Sequence, residues 1–202
     1  MFAWHMLWML KRPEIVSKCK QEVLNSIDKE GSFDPLAIAS LPYCNATLNE
    51  SMRLTPSAVG TIRCLKVDFQ ADDYVIPAGT NVLAGAYIIQ RRKDIWGDDA
   101  LEFKPERWLQ KDGFKPGPFE FFPFGGGRRA CIGASHAKQQ LRILWADFYR
   151  RVEFDSPYAN NDNWPGQQQV SGQTEPTGGV PVTVKVLQPA HFGVPKPVAK
   201  TA

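Results

Sequence analysis

The residue of this 202-residue chain with most chemistry around it is Cys131, in the run Phe124-Gly-Gly-Gly-Arg-Arg-Ala-Cys-Ile-Gly133. A cysteine thiolate is a nucleophile and a soft metal ligand. Gly125, Gly126 and Gly127 free the backbone for turns closed to other residues and for close approach to a bulky ligand. Arg129, two residues before the cysteine, offers a charge-assisted donor fork to a carboxylate. Phe124 can cover one face of a flat ligand, and Gly133 lets the chain turn into the helix that follows. A lone cysteine is most often a buried, inert thiol. Six constrained positions within ten residues favour ligation by Cys131 instead.

Two charged constellations precede this loop. Glu50-Ser-Met-Arg53 places a carboxylate and a guanidinium one turn apart on a helix. Alone, such a pair is an ordinary solvated contact worth about half a kcal/mol or less. Phe103-Lys-Pro-Glu-Arg-Trp108 adds Arg107 in a proline-containing stretch just upstream of the glycine loop.

Taken in order, these segments resemble the C-terminal portion of the cytochrome P450 family. Glu50-Ser-Met-Arg53 matches the family's ExxR on its K helix, and Phe103 to Trp108 matches its PERF-like element. The loop around Cys131 fills every fixed position of the haem-binding pattern FGxGxRxCxG. Gly178-Gly179-Val180-Pro181-Val182 resembles the last hairpin, and Ala3 to Leu7 aligns with the latter part of the I helix. Asp94 to Trp108 has the texture of eukaryotic members. One departure is Gln90-Arg-Arg-Lys93, where many relatives carry His-Arg-Asp-Pro.

The resemblance implies a mainly α fold with a small β component (α+β): the C-terminal part of the P450 fold without its N-terminal half. It implies haem b, iron protoporphyrin IX, held by Cys131 as axial thiolate, with Phe124, Gly125, Gly127, Arg129 and Gly133 around it. Arg63 matches a position that often holds a haem propionate, and an exposed strand arginine is an equal alternative. Glu50, Arg53 and Arg107 would form a buried ion network supporting the haem loop. Ala58, Val59 and Ile62 would border the substrate pocket. The complete enzyme would be a monooxygenase inserting one atom of O2 into a small lipophilic substrate, with NADPH-derived electrons arriving through a reductase. Arg128, Lys138 and Arg142 are candidates for docking that partner. The family's oxygen-activating AGx(D/E)T element would lie upstream of Met1. The alternatives are therefore a non-catalytic haem-binding or interaction fragment, and a P450-like isomerase of hydroperoxides.

Composition bounds the rest. A net charge of +3 is too weak to argue for nucleic acid. Four cysteines, at 19, 44, 64 and 131, form no CxxC, which reads as free thiols in a reducing compartment. Cys19, Cys44 and Cys64 lie in apolar-patterned stretches and are expected in the core. Met1 to Leu10 is apolar but too short to span a bilayer, and reads as a buried helix, with no membrane anchor expected in this chain. The expected location is the endoplasmic reticulum membrane for a eukaryotic family member and the cytoplasm otherwise.

The elements that must position these residues follow from periodicity. Pro13 to about Glu30 reads as a helix with Val16, Cys19, Val23 and Ile27 inward, stopped by Gly31. A short helical piece from Asp34 to Ser40 precedes a second helix from Pro42 that closes before Pro56. Thr61–Phe69, Tyr74–Ile76 and Asn81–Leu83 read as strands, with a short helix at 86–91. Residues 97–123 are irregular. Gly133 to Arg151 reads as a long helix with Ala137, Leu141, Leu144, Trp145 and Phe148 inward. Residues 157–179 read as a long loop or mobile hairpin, and 180–186 as a strand. One domain over 1–187 and a disordered tail over 188–202 complete the expectation.

Overall fold

The computed structural model describes residues 1–27, 34, 37–38, 40–109, 115–159, 164–170 and 173–187. Helix α1 (Phe2–Leu10) buries every residue from Trp4 to Leu10. A helix apolar on all sides belongs inside a core, as expected from its composition. Helix α2 (Pro13–Asn25) starts on proline, carries Glu14 in its first turn and buries Ile15, Cys19 and Val23. It ends short of the expected Glu30. Ser26 turns its hydroxyl onto Val23 O at 2.6 Å, satisfying a last-turn carbonyl locally. Gly31 and residues 35, 36 and 39 of the short piece between 34 and 40 lie outside the described residues, as does the 188–202 tail.

Helix α3 (Pro42–Leu54) runs through the centre and carries the Glu50–Arg53 pair. Its start is fixed from α2. The Glu22 carboxylate accepts the N–H groups of Tyr43 and Cys44, both at 2.8 Å, so an anion sits on two orphan donors at the positive helix end. The expected first strand is broken. β1 (Thr61–Cys64) pairs antiparallel with β4 (Asn81–Ala84), while β2 (Phe69–Ala71) pairs with β3 (Tyr74–Ile76). Both faces of β1 are largely exposed, which corrects the expectation for Cys64: its sulfur lies at the surface, 3.6 Å from Gly79 O. Cys19 and Cys44 are buried as expected.

Two short helices, α4 (Ala86–Ile89) and α5 (Lys93–Trp96), lead to a 3-10 turn at Pro105–Trp108. Helix α6 (Ala134–Arg151) packs Trp145, Ala146 and Tyr149 into the core formed with α1, α2 and α3. Leu144 is 55% exposed, against expectation. The buried stripe drifts toward Ala146 and Arg150, and a side chain one step back from Trp145 falls off it. The helix runs straight into β5 (Val152–Asp155), paired antiparallel with β8 (Thr183–Val186). Of the two readings for residues 157–179, the described residues contain the hairpin, β6 (Gln167–Val170) with β7 (Gln173–Pro176). The architecture is mainly α with small antiparallel sheets. Among the described residues no helix is long and apolar enough to cross a membrane.

Candidate functional site

Glu50 and Arg53 are fully buried, and Arg107 is 7% exposed. Burying ions is costly unless every polar atom finds a partner, and here they do. Glu50 Oε1 accepts from Arg53 Nη2 (2.8 Å), Arg107 Nε (3.0 Å) and the Lys104 N–H (2.9 Å). Its Oε2 accepts from Arg53 Nε and from the Trp108 indole, both at 2.9 Å. The remaining Arg53 donors reach the carbonyls of Gln90, Ala100 and Glu102 at 2.6–3.0 Å. Arg107 reaches Trp96 O, Asp99 O and Asp99 Oδ1 at 3.1–3.3 Å. The three residues therefore staple α3 to the irregular stretch that feeds the glycine loop.

Gln90 joins this frame. Its Nε2 donates to Met52 O (3.1 Å) and Arg53 O (3.0 Å), and its Oε1 accepts the Phe122 N–H at 3.0 Å. From Phe122 the loop closes on itself through Gly125 N to Phe122 O and Cys131 N to Phe124 O, both 2.9 Å. Gly125 and Gly127 have φ of 73° and 67°, the left-handed region that side chains other than glycine's resist. Gly133 differs from expectation: its φ of −85° needs no glycine. A methyl there would stand 3.9 Å from the Cys131 sulfur, so glycine keeps that side of the sulfur open.

Cys131 is exposed and borders a cavity of about 450 Å³. Arg129, Phe124 and Gly125 line the same cavity from the loop. Further lining comes from Ala58, Gly60 and Thr61 before and within β1, and from Leu141 of α6. Gln173 of the β6–β7 hairpin also reaches it. That hairpin is held by Thr174, which donates its N–H to Ser57 O (2.6 Å) and accepts the Trp4 indole N–H on its carbonyl at 3.0 Å. Arg63 lies on exposed β1 and donates to Thr61 Oγ1 at 2.6 Å, beside the cavity rather than in its wall.

Lys138 and Arg142 share one face of α6, one turn apart, but they are not a free solvated surface. Both sit against α3 beside Asn45 and Asn49, and Lys138 Nζ lies 5.4 Å from the centre of the Phe124 ring. Partial burial, then the neighbouring Arg142 charge, lowers the Lys138 pKa.

The family model for cytochrome P450 matches residues 2–178. This chain belongs to the cytochrome P450 family. It is 33% identical over 154 residues to methyltetrahydroprotoberberine 14-monooxygenase of Papaver somniferum, covering 75% of this chain and 29% of that protein. It is 34% identical to cytochrome P450 83A1 of Arabidopsis thaliana over 159 residues, covering 77% of this chain and 32% of that one. Cytochrome P450 76A1 of Solanum melongena is 34% identical over 157 residues, 77% of this chain and 33% of the relative. The chain thus spans about a third of the length of these relatives.

A P450 implies haem. Among the described residues no cluster of His, Cys, Asp and Glu could hold a metal ion by itself. A single thiol suits a metal whose remaining ligands come from a macrocycle. The cavity offers one soft ligand, one guanidinium and apolar walls, a set that fits a flat, apolar ring with acidic side arms. Sequence reasoning missed Gln173 and the bonding of Gln90. The first sits in a Gln-rich stretch that reads as a loop or hairpin with no site of its own, while the second was visible only as a departure from the family pattern.

Proposed function

We propose that this chain forms the thiolate side of a haem monooxygenase acting on a lipophilic substrate, with Cys131 as the iron ligand. The observation that carries this reading is that Cys131 and Arg129 border one largely apolar cavity, on a loop braced by a buried ion network. When bound, a haem would supply the redox and oxygen chemistry of a monooxygenase, in which O2, two electrons and two protons give one inserted oxygen atom and one water. The chain's own residues bind, orient and tune. Cys131 would hold the iron as a thiolate and supply electron density to it. Arg129 would pair with a propionate, and Arg63, which donates to Thr61 Oγ1, would take a second at the rim. Helix α6 starts at Ala134 and directs its positive end to the loop, which favours an anionic sulfur. Ala58 and its neighbours line the apolar approach. Electrons come from a reductase docking near Arg128, Lys138 and Arg142.

The test is spectroscopic. This chain and an upstream-extended version are loaded with haem, reduced and exposed to CO. A thiolate-type band that Cys131→Ala abolishes supports the reading. Haem uptake unaffected by that change would sink it. Turnover of a lipid hydroperoxide without NADPH would favour the isomerase alternative. Haem binding with no turnover by the extended protein would favour a non-catalytic module.

A further inference from the structure

Gln90 is a fully buried polar side chain, and each of its amide's bonds goes to a backbone group. We propose that Gln90 is a positioning residue for Cys131: its amide ties the last turn of α3 to the backbone N–H from which the cysteine loop departs. The inference rests on the reading of Cys131 as the haem ligand and adds a residue that sets the ligand's place.

The last carbonyls of a helix lack intrahelical partners. In α3 these include Met52 and Arg53, and Pro56 just beyond has no N–H to offer. Gln90 Nε2 supplies both at 3.1 and 3.0 Å. That fixes the amide's orientation, because two carbonyls need donors and one N–H needs an acceptor. Oε1 then faces Phe122 N at 3.0 Å. Pro123 follows with no donor, so Phe122 holds the last backbone N–H before Phe124. Three bonds in series lead from Gln90 to the cysteine: Oε1 to Phe122 N, Phe122 O to Gly125 N, and Phe124 O to Cys131 N. The backbone of Gln90 is itself fixed, its carbonyl by Arg53 Nη1 at 2.8 Å and its N–H by Ala86 O at 2.9 Å. A first-contact residue is only as well placed as the groups behind it.

The experiment compares Gln90→Leu, Gln90→His and Ile38→Val in the complete chain. Ile38 is buried in the main core and serves as a packing control away from the loop. Amide exchange at Phe122 is followed without haem. Haem affinity and the fraction of thiolate-type CO complex are followed with it. Gln90→Leu is expected to speed Phe122 exchange at least tenfold, weaken haem binding about tenfold and halve the thiolate-type fraction. Gln90→His keeps one acceptor and one donor, so Phe122 protection persists. Ile38→Val leaves all three readouts at parent levels. Unchanged Phe122 exchange in Gln90→Leu overturns the proposal, and so does an equal loss in Ile38→Val. Should the leucine variant not fold, loss of Phe122 protection in the histidine variant overturns it instead. If the parent chain takes up no haem, the exchange readout still decides the positioning role, and the haem reading is what fails.

Discussion

The indole of Trp108 donates to Glu50 Oε2 at 2.9 Å, a neutral donor beside two guanidiniums around a fully buried carboxylate. Five hydrogen bonds converge on Glu50, from Arg53 Nε and Nη2, Arg107 Nε, Lys104 N and Trp108 Nε1. Trp108→Phe keeps an aromatic ring against Trp96 and Phe121 but removes the donor. A hydrogen bond to a charged group is worth roughly 1.5–3 kcal/mol. Denaturant unfolding should therefore show a loss in that range, with little change in the slope against denaturant.

Glu50→Gln tests the network from its centre. It leaves the buried Arg53 guanidinium without a counter-charge and Arg107 with Asp99 alone, and should cost about 3–5 kcal/mol. Arg107→Lys cannot rescue the equivalent loss at Arg107, since one ammonium cannot serve Glu50, Trp96 O and Asp99 together as the guanidinium does. A lysine variant as stable as the parent would show that the fork geometry is dispensable.

The motifs were legible because each is local. The pattern around Cys131 and the Glu50–Arg53 spacing fall within one loop or one helical turn, where chain geometry alone sets the neighbours. What escaped was held by contacts far apart in sequence. Gln90 reaches Met52 and Phe122, and Thr174 reaches Ser57 and Trp4. No periodicity encodes such pairings. Cys64 misled for a related reason: a β-rich pattern predicts a strand but not whether anything packs over it. Leu144 misled because the stripe on α6 is centred on Trp145 and Tyr149 and drifts along the helix.

A histidine buried between three helices sets a pH dependence. His5 of α1 lies 2.6 Å from Ser51 Oγ through Nδ1 and 3.0 Å from Tyr149 Oη through Nε2. Ser51 gives its own hydrogen to Thr47 O at 2.9 Å, so Nδ1 is the donor to Ser51 and Nε2 accepts from Tyr149. Burial lowers the His5 pKa from the usual 6.5 to about 3. Below about 6.5 the unfolded chain binds a proton the folded chain refuses, so stability falls as pH drops from 6.5 toward 3. The slope approaches about 1.4 kcal/mol per pH unit from this group alone. His5→Gln should remove that slope over pH 4–6 in urea titrations; an unchanged slope would assign it elsewhere.

A single methyl at Gly60 would disturb the lining of the cavity that Cys131 borders. A Cβ there would meet Ala84 O at 2.5 Å and Leu83 Cδ1 at 2.9 Å, and the first contact is backbone. Gly60→Ala must push β1 from β4, at a cost of roughly 1–3 kcal/mol. Because Gly60 and Thr61 both border the cavity, haem or ligand affinity should fall along with stability. Retained affinity with lowered stability would place the strain outside the cavity.

Electron delivery tests the proposed docking face, in an upstream-extended protein supplied with a P450 reductase. Lys138 stacks over Phe124, and Arg142 lies one turn further along α6, so the positive face and the cysteine loop are physically continuous. Replacing both by glutamine removes two charges without touching Cys131, Arg129 or the Glu50 network. Charge complementarity acts chiefly on encounter rate and is screened by salt. First-electron transfer at low salt should slow about tenfold, within the range such steering supplies. Its dependence on ionic strength should flatten, while haem content stays at the parent level. Equal rates and equal salt dependence in the double variant would remove these two residues from the docking surface. Loss of haem would instead assign Lys138 to support of Phe124.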